Sequence, residues 1–391
     1  MQAEQDDGDQ ADDGAEPGVL LAAEGGRLQV RRDEVRLRTV TAAMLDGTTG
    51  YIKLAEFTDT SNDELGAAVR DLSKRGMRRL VFDLRDNPGG VLPQAILIAN
   101  RFLRRGQMIV YTRGRAAETA EDYRADRDGD LTMPVITLVN RNSASASEIV
   151  SGALQDHDRS LVVGETTFGK ALVQSVFRVS HGAAAAITTA RYYTPSGRLI
   201  QRPWDSSFDE YFTYTSRDQR AGADHANDQL KLTDAGRKVY GGGGIEPDRR
   251  FEGQYDGFNP TPFARTIFAR DLFEAYARRF TRAGDTRIAP SATAPRREVT
   301  DDYEVTDAML AEFREVVAKS PMKFDETGWQ TDRDFIKAMI QKEIDLDLFG
   351  ASAAYRNLAR RDPQMQFALT LFAEAQQLLD SRPAPATRAG L

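Results

Sequence analysis

Cysteine is absent from the 391 residues, and histidine occurs only three times. The lack of cysteine excludes disulfides, thiol catalysis and cysteine-based metal sites. Long hydrophobic runs are also missing, since no apolar stretch approaches the roughly 18 residues of a membrane span. None of the histidines (His157, His181 and His225) stands in a motif that would mark a catalytic base. A hydroxyl nucleophile in this chain would therefore need a base other than imidazole.

The net charge of −7 comes from one short segment. Over the rest of the chain acids and bases balance, which argues against a nucleic-acid binder with a basic face. We predict that residues 1–18 form a disordered acidic leader, because a charged segment with few apolar residues cannot bury a core. The acids of residues 1–17, which include no base, are Glu4, Asp6, Asp7, Asp9, Asp12, Asp13 and Glu16.

Strands and helices alternate in the first half of the sequence. The apolar runs 79–84 and 134–140 predict strands, and each is followed by a turn and then a helix. The first turn is rich in glycine (87–90) and the second in serine (142–145). This alternation predicts an α/β fold with a largely parallel sheet, in which reactive groups cluster beyond the carboxyl ends of the strands.

Further along the chain, the pattern changes from alternating elements to a hairpin and then to helices. Residues 172–180 and 184–193 predict two antiparallel strands. We predict a core at 50–255 and a helical region at 256–390, with a linker near 289–300. The helical region contains no recognisable chemistry, and we interpret it as an accessory or docking region.

Ser145 opens the helix that follows the serine-rich turn, and two compatible roles are open to it. With Glu148 it forms an S-x-x-E capping box, which is a purely structural role. A nucleophile at a helix N-terminus would also face free backbone N–H groups and the positive end of the helix dipole. Those groups stabilise a developing oxyanion.

Lys170 follows Ser145 by 25 residues, in a Gly-Lys turn. Most lysines are solvated surface groups, but a lysine in an apolar environment can act as a base because burial disfavours its charged form. The neighbouring Phe168, Ala171 and Leu172 predict such an environment. Gln174, four residues on, is placed to hold the amine by a hydrogen bond.

Gly89 and Gly90 form a second candidate element. Two adjacent glycines allow a substrate carbonyl to approach main-chain N–H groups closely. The alternative interpretation is a plain turn between a strand and a helix.

Five stretches of the sequence, in this order and spacing, closely resemble the carboxyl-terminal processing peptidases, also called tail-specific proteases. The similarity covers roughly residues 40–250. Each motif alone is weak, whereas five in order are specific. The stretches are DLRDNPGG (83–90), NSASASEIVSGALQD (142–156), VGETTFGKALVQ (163–174), TTARYYTPSGRLIQ (188–201) and LTDAGRKVYGGGGIEPD (232–248).

The resemblance implies a Ser/Lys serine endopeptidase on a crotonase-like (ClpP/crotonase-type) α/β core. It implies that the middle serine of SASAS, Ser145, is the nucleophile, that Lys170 is the base and that Gln174 orients it. The oxyanion donors that it implies are the amides of Ala146 and of Gly89 or Gly90. An aspartate at the end of the SASASE helix, here Asp156, supports catalysis in some members.

The resemblance also implies partners and location. It implies polypeptide substrates whose apolar C-terminal tails bind as an added strand. It also implies that no metal or organic cofactor is needed. Residues 19–49 resemble the strands and linker that follow a PDZ domain in the family, and we expect either a variant without that domain or a chain that lacks its front. The family implies the periplasm or cell envelope, although the sequence shows no signal peptide. The helical region would serve a homo-oligomer or an adaptor.

Two other functions compete with peptide hydrolysis. A catalytically silent peptide-binding scaffold could keep the fold, but the Ser145, Lys170 and Gln174 set argues against it. Acyl-CoA chemistry on a related crotonase-type core usually uses acids and an oxyanion hole without a Ser/Lys pair. The TPSGR and GGGGI stretches also fit the peptidase pattern better.

Overall fold

The computed structural model describes residues 19–21, 27–29, 38–202, 229–251, 260–287 and 295–382. The predicted acidic leader and residues 289–294 of the predicted linker lie outside these ranges. The chain divides into two compact units, Met1–Arg38 and Thr39–Leu391. In the first unit, strand β1 (Val19–Leu21) pairs with β2 (Arg27–Gln29) in antiparallel fashion.

The described part of the second unit contains two larger sheets, with α-helices between their strands. Its helices in this part are α1 (Ser61–Lys74), α2 (Leu92–Asn100) and α3 (Ala146–Asp156). Its strands are β3 (Val40–Met44), β4 (Thr49–Leu54), β5 (Arg79–Asp83), β6 (Met108–Gly114), β7 (Glu121–Arg124), β8 (Val135–Val139), β9 (Leu161–Gly164), β10 (Leu172–Arg178), β11 (Ala184–Tyr193), β12 (Leu230–Leu232), β13 (Lys238–Tyr240), β14 (Arg249–Arg250), β15 (Phe280–Thr281) and β16 (Arg297–Glu298).

The central sheet has the strand order β14-β9-β8-β5-β4-β3. Its neighbours are parallel except for β3 and β4, which form an antiparallel pair. Strands β8 and β9 are buried along their whole length, as expected for parallel strands that are covered on both faces. Helix α3 is also buried at every residue. The middle strands therefore give the site a rigid base.

A second, antiparallel sheet has the order β10-β11-β6-β7. Its β10–β11 pair confirms the predicted hairpin. Among the described strands, β10 lies at the edge of this sheet, so one side of its backbone is unpaired. Val176, Phe177 and Ile187 are exposed on this hairpin, which leaves an apolar surface beside that edge.

The helical region packs against the central sheet. Met365 and Phe372 belong to the same buried cluster as Val81, Ile136 and Val163 of β5, β8 and β9. The predicted α/β class, with a mainly parallel sheet and a helical carboxyl-terminal region, is confirmed. No helix in the described ranges has the length and apolar character needed to cross a membrane. The region's helices are Pro262–Ala269, Leu272–Ala277, Asp307–Lys319, Glu326–Thr331, Arg333–Leu348, Ala351–Ala359, Pro363–Thr370 and Phe372–Asp380.

A buried carboxyl group in this region gives a pH-dependent stability. Burial raises the pKa of Asp345 to about 6, although a hydrogen bond from Asn357 opposes the shift. An aspartate in an unfolded chain titrates near 3.9, so the folded protein binds this proton more tightly. The stability that this group contributes is therefore lost as the pH rises from about 4 to about 6.

We expect Asp345→Asn to increase the free energy of unfolding at pH 7.5 by about 2 kcal/mol and to leave it nearly unchanged at pH 4. Urea unfolding at pH 4, 5.5 and 7.5 measures both effects. Asp334→Asn, at an exposed acid of the same helix, is the control. An equal difference between wild type and Asp345→Asn at all three pH values would contradict the prediction.

Candidate active site

Three neighbouring strands of the central sheet carry the loops of the candidate site. The turn that contains Gly89 and Gly90 follows β5, the serine-rich turn follows β8, and the segment that leads to Lys170 follows β9. Because β5, β8 and β9 are adjacent and parallel, their carboxyl ends lie at one edge of the sheet. Both predicted turns are therefore at the edge where such sheets place reactive groups.

The backbone of Ser145 is strained. Its φ of 56° and ψ of −113° lie in a region that residues with a Cβ rarely adopt, at a cost of about 1–3 kcal/mol. Ser145 also forms the predicted capping box with Glu148 at the start of α3. A strained serine between a strand and a helix N-terminus is a geometry that exposes a hydroxyl nucleophile.

The three serines of the SASAS motif differ in what their hydroxyl groups do. Ser143 Oγ donates to the Leu84 carbonyl at 2.8 Å, and Ser147 Oγ donates to the Asn87 carbonyl at 3.0 Å. Ser145 Oγ donates to no residue within the described ranges, and the residue is only half-buried. The flanking serines thus fix the loop. Of the three, only Ser145 has a hydroxyl proton that is not already donated to a carbonyl, so a base could remove it.

Asn87 joins the glycine turn to the serine turn. Its carbonyl accepts the Ala144 N–H at 3.0 Å, and its side chain donates to the Leu54 carbonyl at 2.8 Å. The contact between the turns is close, since a Cβ on Gly89 would lie 2.8 Å from the Cβ of Ser145. Glycine is required at this position because any side chain would push the two turns apart.

The two glycines are not equivalent as candidate oxyanion donors. The Gly89 N–H donates to Asn87 Oδ1 at 2.9 Å. The N–H groups of Gly90 and Ala146 have no acceptor among the residues that the structure describes. Because the Gly89 N–H is already used within the turn, the predicted oxyanion role, which stays a prediction, fits Gly90 better than Gly89.

Glu148 connects the backbones of the two predicted catalytic residues. Its Oε2 accepts the N–H of Ser145 at 2.8 Å and the N–H of Lys170 at 2.9 Å. Its Oε1 accepts the N–H of Gly169 at 2.7 Å and the hydroxyl of Thr167. Burial raises the pKa of Glu148, and these four donors oppose the shift. A single carboxylate thus sets the distance between the two loops.

Tyr192 makes a second connection between the same two residues. Its hydroxyl lies 3.1 Å from the Ser145 carbonyl and is also within hydrogen-bonding distance of the Lys170 carbonyl. Burial raises the pKa of Tyr192 well above its ordinary value, with a further contribution from the charge of Glu148. The hydroxyl therefore stays protonated and available as a donor.

The expected apolar environment of Lys170 is not present in this conformation. The residue is exposed, and its ammonium group makes no hydrogen bond or ion pair within the described part of the chain. Gln174 is exposed as well. Leu172 and Val173 are only half-buried, so the strand that follows Lys170 does not cover it. The structure therefore places the Lys170 backbone beside Ser145 but leaves its amine in solvent.

Asp156 lies away from the loops that carry Ser145 and Lys170. It ends α3, about 16 Å along the helix from Ser145 at about 1.5 Å per residue. Its carboxylate forms an ion pair with Arg198 and accepts the N–H of Ser196 at 2.9 Å. Asp156 thus fastens the turn after β11 to the far end of α3, and the catalytic support that the resemblance implies for it stays a prediction.

His157 also lies at the far end of α3. Its two ring nitrogens contact Asp234 Oδ2 and the Met108 carbonyl, each at 2.7 Å. Within the described ranges these two contacts, neither of them to a hydroxyl group, occupy both ring nitrogens, which agrees with the inference that this histidine is not the base. No group of three or more His, Asp or Glu within the described ranges is placed to hold a metal ion.

Sequence reasoning missed the connecting roles of Asn87, Glu148 and Tyr192. Asn87 carried a usable signal, since asparagine in a turn commonly bonds the backbone two residues on. Glu148 was identified as a helix cap, but its bonds to residues 167–170 depend on tertiary structure. Tyr192 gave no local signal, because its partners lie 22 and 47 residues away.

Comparison with known proteins gives a family for the segment that contains these loops. Residues 48–204 match peptidase family S41. The chain is 42% identical over 180 residues to the carboxy-terminal-processing protease of Bartonella bacilliformis, covering 44% of this chain and 41% of that protein. It is 42% identical over 175 residues to the carboxyl-terminal-processing protease of Synechocystis sp., covering 44% and 40%.

Among solved structures, a photosystem II D1 C-terminal processing protease is 36% identical, with a TM-score of 0.37, covering 44% of this chain and 48% of that one. The chain spans about two fifths of the length of the curated relatives it matches. The resemblance to the carboxyl-terminal processing peptidases that the five motifs indicated is confirmed.

Proposed function

Because residues 48–204 match peptidase family S41, we propose that this chain is a serine endopeptidase that cleaves polypeptides near their C-termini. In this proposal Ser145 forms the acyl-enzyme and Lys170 is the general base. The observation that carries it is the pairing of Ser145 and Lys170 through Glu148 Oε2, at 2.8 and 2.9 Å. A structural serine would need neither a strained backbone nor a shared anchor with a lysine turn.

The reaction follows from the groups that surround Ser145. Neutral Lys170 removes the Ser145 hydroxyl proton while Oγ attacks the scissile carbonyl carbon. The carbonyl oxygen becomes negative. It is stabilised by the N–H of Ala146 at the amino end of α3 and by the N–H of Gly90 in the turn after β5. Protonated Lys170 then gives its proton to the departing amine, and water hydrolyses the ester that remains on Ser145.

Lys170 must leave solvent before it can act in this way. An ammonium in water keeps its proton at neutral pH, and removal of water disfavours the charged form. We propose that the bound polypeptide covers Lys170 and that Gln174 then orients the amine. The exposed state of both side chains supports a site that is completed by its substrate.

The unpaired edge of β10 supports a place for that substrate. β10 begins two residues after Lys170 and lies at the edge of its sheet among the described strands. An extended peptide that added to β10 would gain main-chain hydrogen bonds. The exposed Val176 and Phe177 would favour an apolar C-terminal tail. We also propose a place in the periplasm or cell envelope, and a homo-oligomer or adaptor contact through the helical region, both of which rest on the family.

Covalent labelling tests the proposal. We expect a fluorophosphonate to react with the Ser145 hydroxyl, with loss of fluoride, and peptide mapping by mass spectrometry identifies the labelled residue. We also expect the chain to cleave a reduced, carboxymethylated protein that carries an added apolar tail. Ser145→Ala should lose both activities, while Ser151→Ala, at a helix serine that donates to the Ser147 carbonyl, should keep both.

Two results would overturn the proposal. Labelling of another residue, with cleavage unchanged in Ser145→Ala, would remove Ser145 from its role. Binding of the tailed protein without labelling or cleavage would favour the catalytically silent scaffold.

A further inference from the structure

The helix Pro363–Thr370 begins at a point where two of its residues contact the candidate site's supporting strands. Asp362 caps this helix, since its Oδ1 accepts the N–H groups of Gln364 and Met365 at 3.0 and 3.1 Å. Its other oxygen, Oδ2, forms an ion pair with Arg85 at 2.6 Å. Both Asp362 and Gln364 are buried. A surface docking helix would not need buried polar groups of this kind.

The amide of Gln364 contacts groups from three strands at once. Its Oε1 accepts a hydrogen bond from Arg85 Nη1 at 3.2 Å, just beyond β5. Its Nε2 donates to the carbonyl of Val139 at 3.3 Å and to that of Val163 at 3.4 Å. Val139 ends β8, and Val163 lies one residue before the end of β9. One side chain therefore ties together the carboxyl ends of β5, β8 and β9.

Each of these strand ends leads directly into one part of the candidate site. Arg85 precedes the turn that contains Gly89 and Gly90. Val139 precedes the turn that contains Ser145, and Val163 precedes the segment that ends in Lys170. The packing is tight, because a Cβ on Gly164 would lie 2.2 Å from Gln364 Nε2. A shift of Gln364 would therefore move the start of all three loops.

Arg85 transmits the position of Asp362 to the glycine turn. Its guanidinium lies between Asp362 and Asp83, at 2.6 and 2.7 Å. Burial would lower the pKa of Arg85, but these two carboxylates raise it well above its ordinary value. The Arg85 carbonyl also accepts a hydrogen bond from Lys53 at 2.9 Å. The turn to Gly90 thus starts from a residue that is held at both its backbone and its side chain.

We propose that Asp362 and Gln364 are positioning residues for the peptidase reaction, so that the helical region forms part of the catalytic unit. This inference rests on the proposed function. It assigns the region a role beyond oligomer or adaptor contacts, because the two side chains fix the separation of the oxyanion donor, the nucleophile and the base. Neither residue touches the reacting atoms.

Gln364→Met tests this role, since methionine keeps the approximate volume and removes both polar groups. A misplacement of about 1 Å can cost about a hundredfold in rate, so we expect kcat to fall by about 10- to 100-fold. KM for the tailed, carboxymethylated protein should stay within about twofold of the wild-type value. A merely structural residue would lower the amount of folded enzyme and leave kcat per labelled Ser145 unchanged.

Phe372→Leu is the matched control. Phe372 docks the helical region on the same sheet, where its ring lies 4.6 Å from the guanidinium of Arg79, but Arg79 is at the opposite end of β5. We expect this variant to unfold at a lower urea concentration and to keep kcat within about twofold. If Gln364→Met does not fold, Asp362→Asn is judged by the same criteria, since it replaces the oxygen that faces Arg85 with an NH₂ group and keeps one oxygen for the helix cap.

A kcat within about twofold of wild type in Gln364→Met, or an equal loss in Phe372→Leu, would overturn the positioning role. In either case cleavage that still depends on Ser145 would leave the proposed function intact. Wild-type chain without Ser145-dependent cleavage would instead refute the proposed function, and the positioning role with it.

Discussion

Lys170→Ala should lower kcat for the tailed polypeptide by about 10²- to 10⁴-fold, because general base catalysis supplies a contribution of that size. The N–H of residue 170 would still bond to Glu148, so the loop should keep its place. We further expect small primary amines such as ethylamine to restore part of the rate. The exposed position of Lys170 leaves an open path for an added amine to reach Ser145. Steady-state cleavage with and without amine measures both effects.

Lys74→Ala is the control for that experiment. Lys74 lies in the last turn of α1 and is exposed, so its removal should change neither the rate nor the response to amines. If Lys170→Ala cleaves at the wild-type rate, the base is another group. An equal stimulation of wild type and Lys170→Ala by amines would show that the amine acts elsewhere.

Glu148→Gln should destabilise the protein and nearly abolish cleavage. A carboxylate accepts with both oxygens, whereas an amide has one acceptor and one donor group. Either the Ser145 and Lys170 pair of N–H groups, or the Gly169 N–H with the Thr167 hydroxyl, would then face an NH₂ group. Two buried donors without acceptors cost about 1–3 kcal/mol each. We expect a loss of about 3–5 kcal/mol in the free energy of unfolding and a fall of at least about a hundredfold in kcat.

Urea unfolding and cleavage by the folded fraction separate the two effects. Glu165→Gln is the matched control, because Glu165 lies in the same loop but pairs with Arg141 in a half-buried position. We expect Glu165→Gln to lower the free energy of unfolding by no more than about 1 kcal/mol. Wild-type kcat in folded Glu148→Gln would mean that the connection between the loops does not matter for catalysis.

Local sequence patterns predicted the elements that carry the site, but not how they are joined. The glycine turn and the serine turn each followed an apolar run, and the S-x-x-E pattern at Ser145 gave the helix start correctly. These features depend on neighbouring residues only. The contacts of Glu148 with residues 167–170 and of Tyr192 with Ser145 depend on which strands become neighbours, and no local pattern encodes that.

Two predicted site residues lie in surroundings that their local sequence did not indicate. Asp156 was assigned a catalytic role by resemblance, but a helix of eleven residues separates it from Ser145, and Arg198 neutralises it. Lys170 was expected to be desolvated because its sequence neighbours are apolar. Lys170 lies in the turn before β10, where successive side chains need not share one face, so apolar neighbours in the sequence do not ensure that the lysine is covered.

The hydrogen bond between Arg85 and Gln364 joins two residues that the ribosome adds at very different times. The two residues are 279 positions apart, so at about 5–20 residues per second roughly 15 to 55 seconds of synthesis separate them. Ser145 and Lys170 emerge from the ribosome long before the side chains that hold their loops. A chain cut short in translation would therefore contain the nucleophile and the base without the support that aligns them. Chain order would then act as a safeguard, since proteolytic capacity would arise only after the helical region has been synthesised.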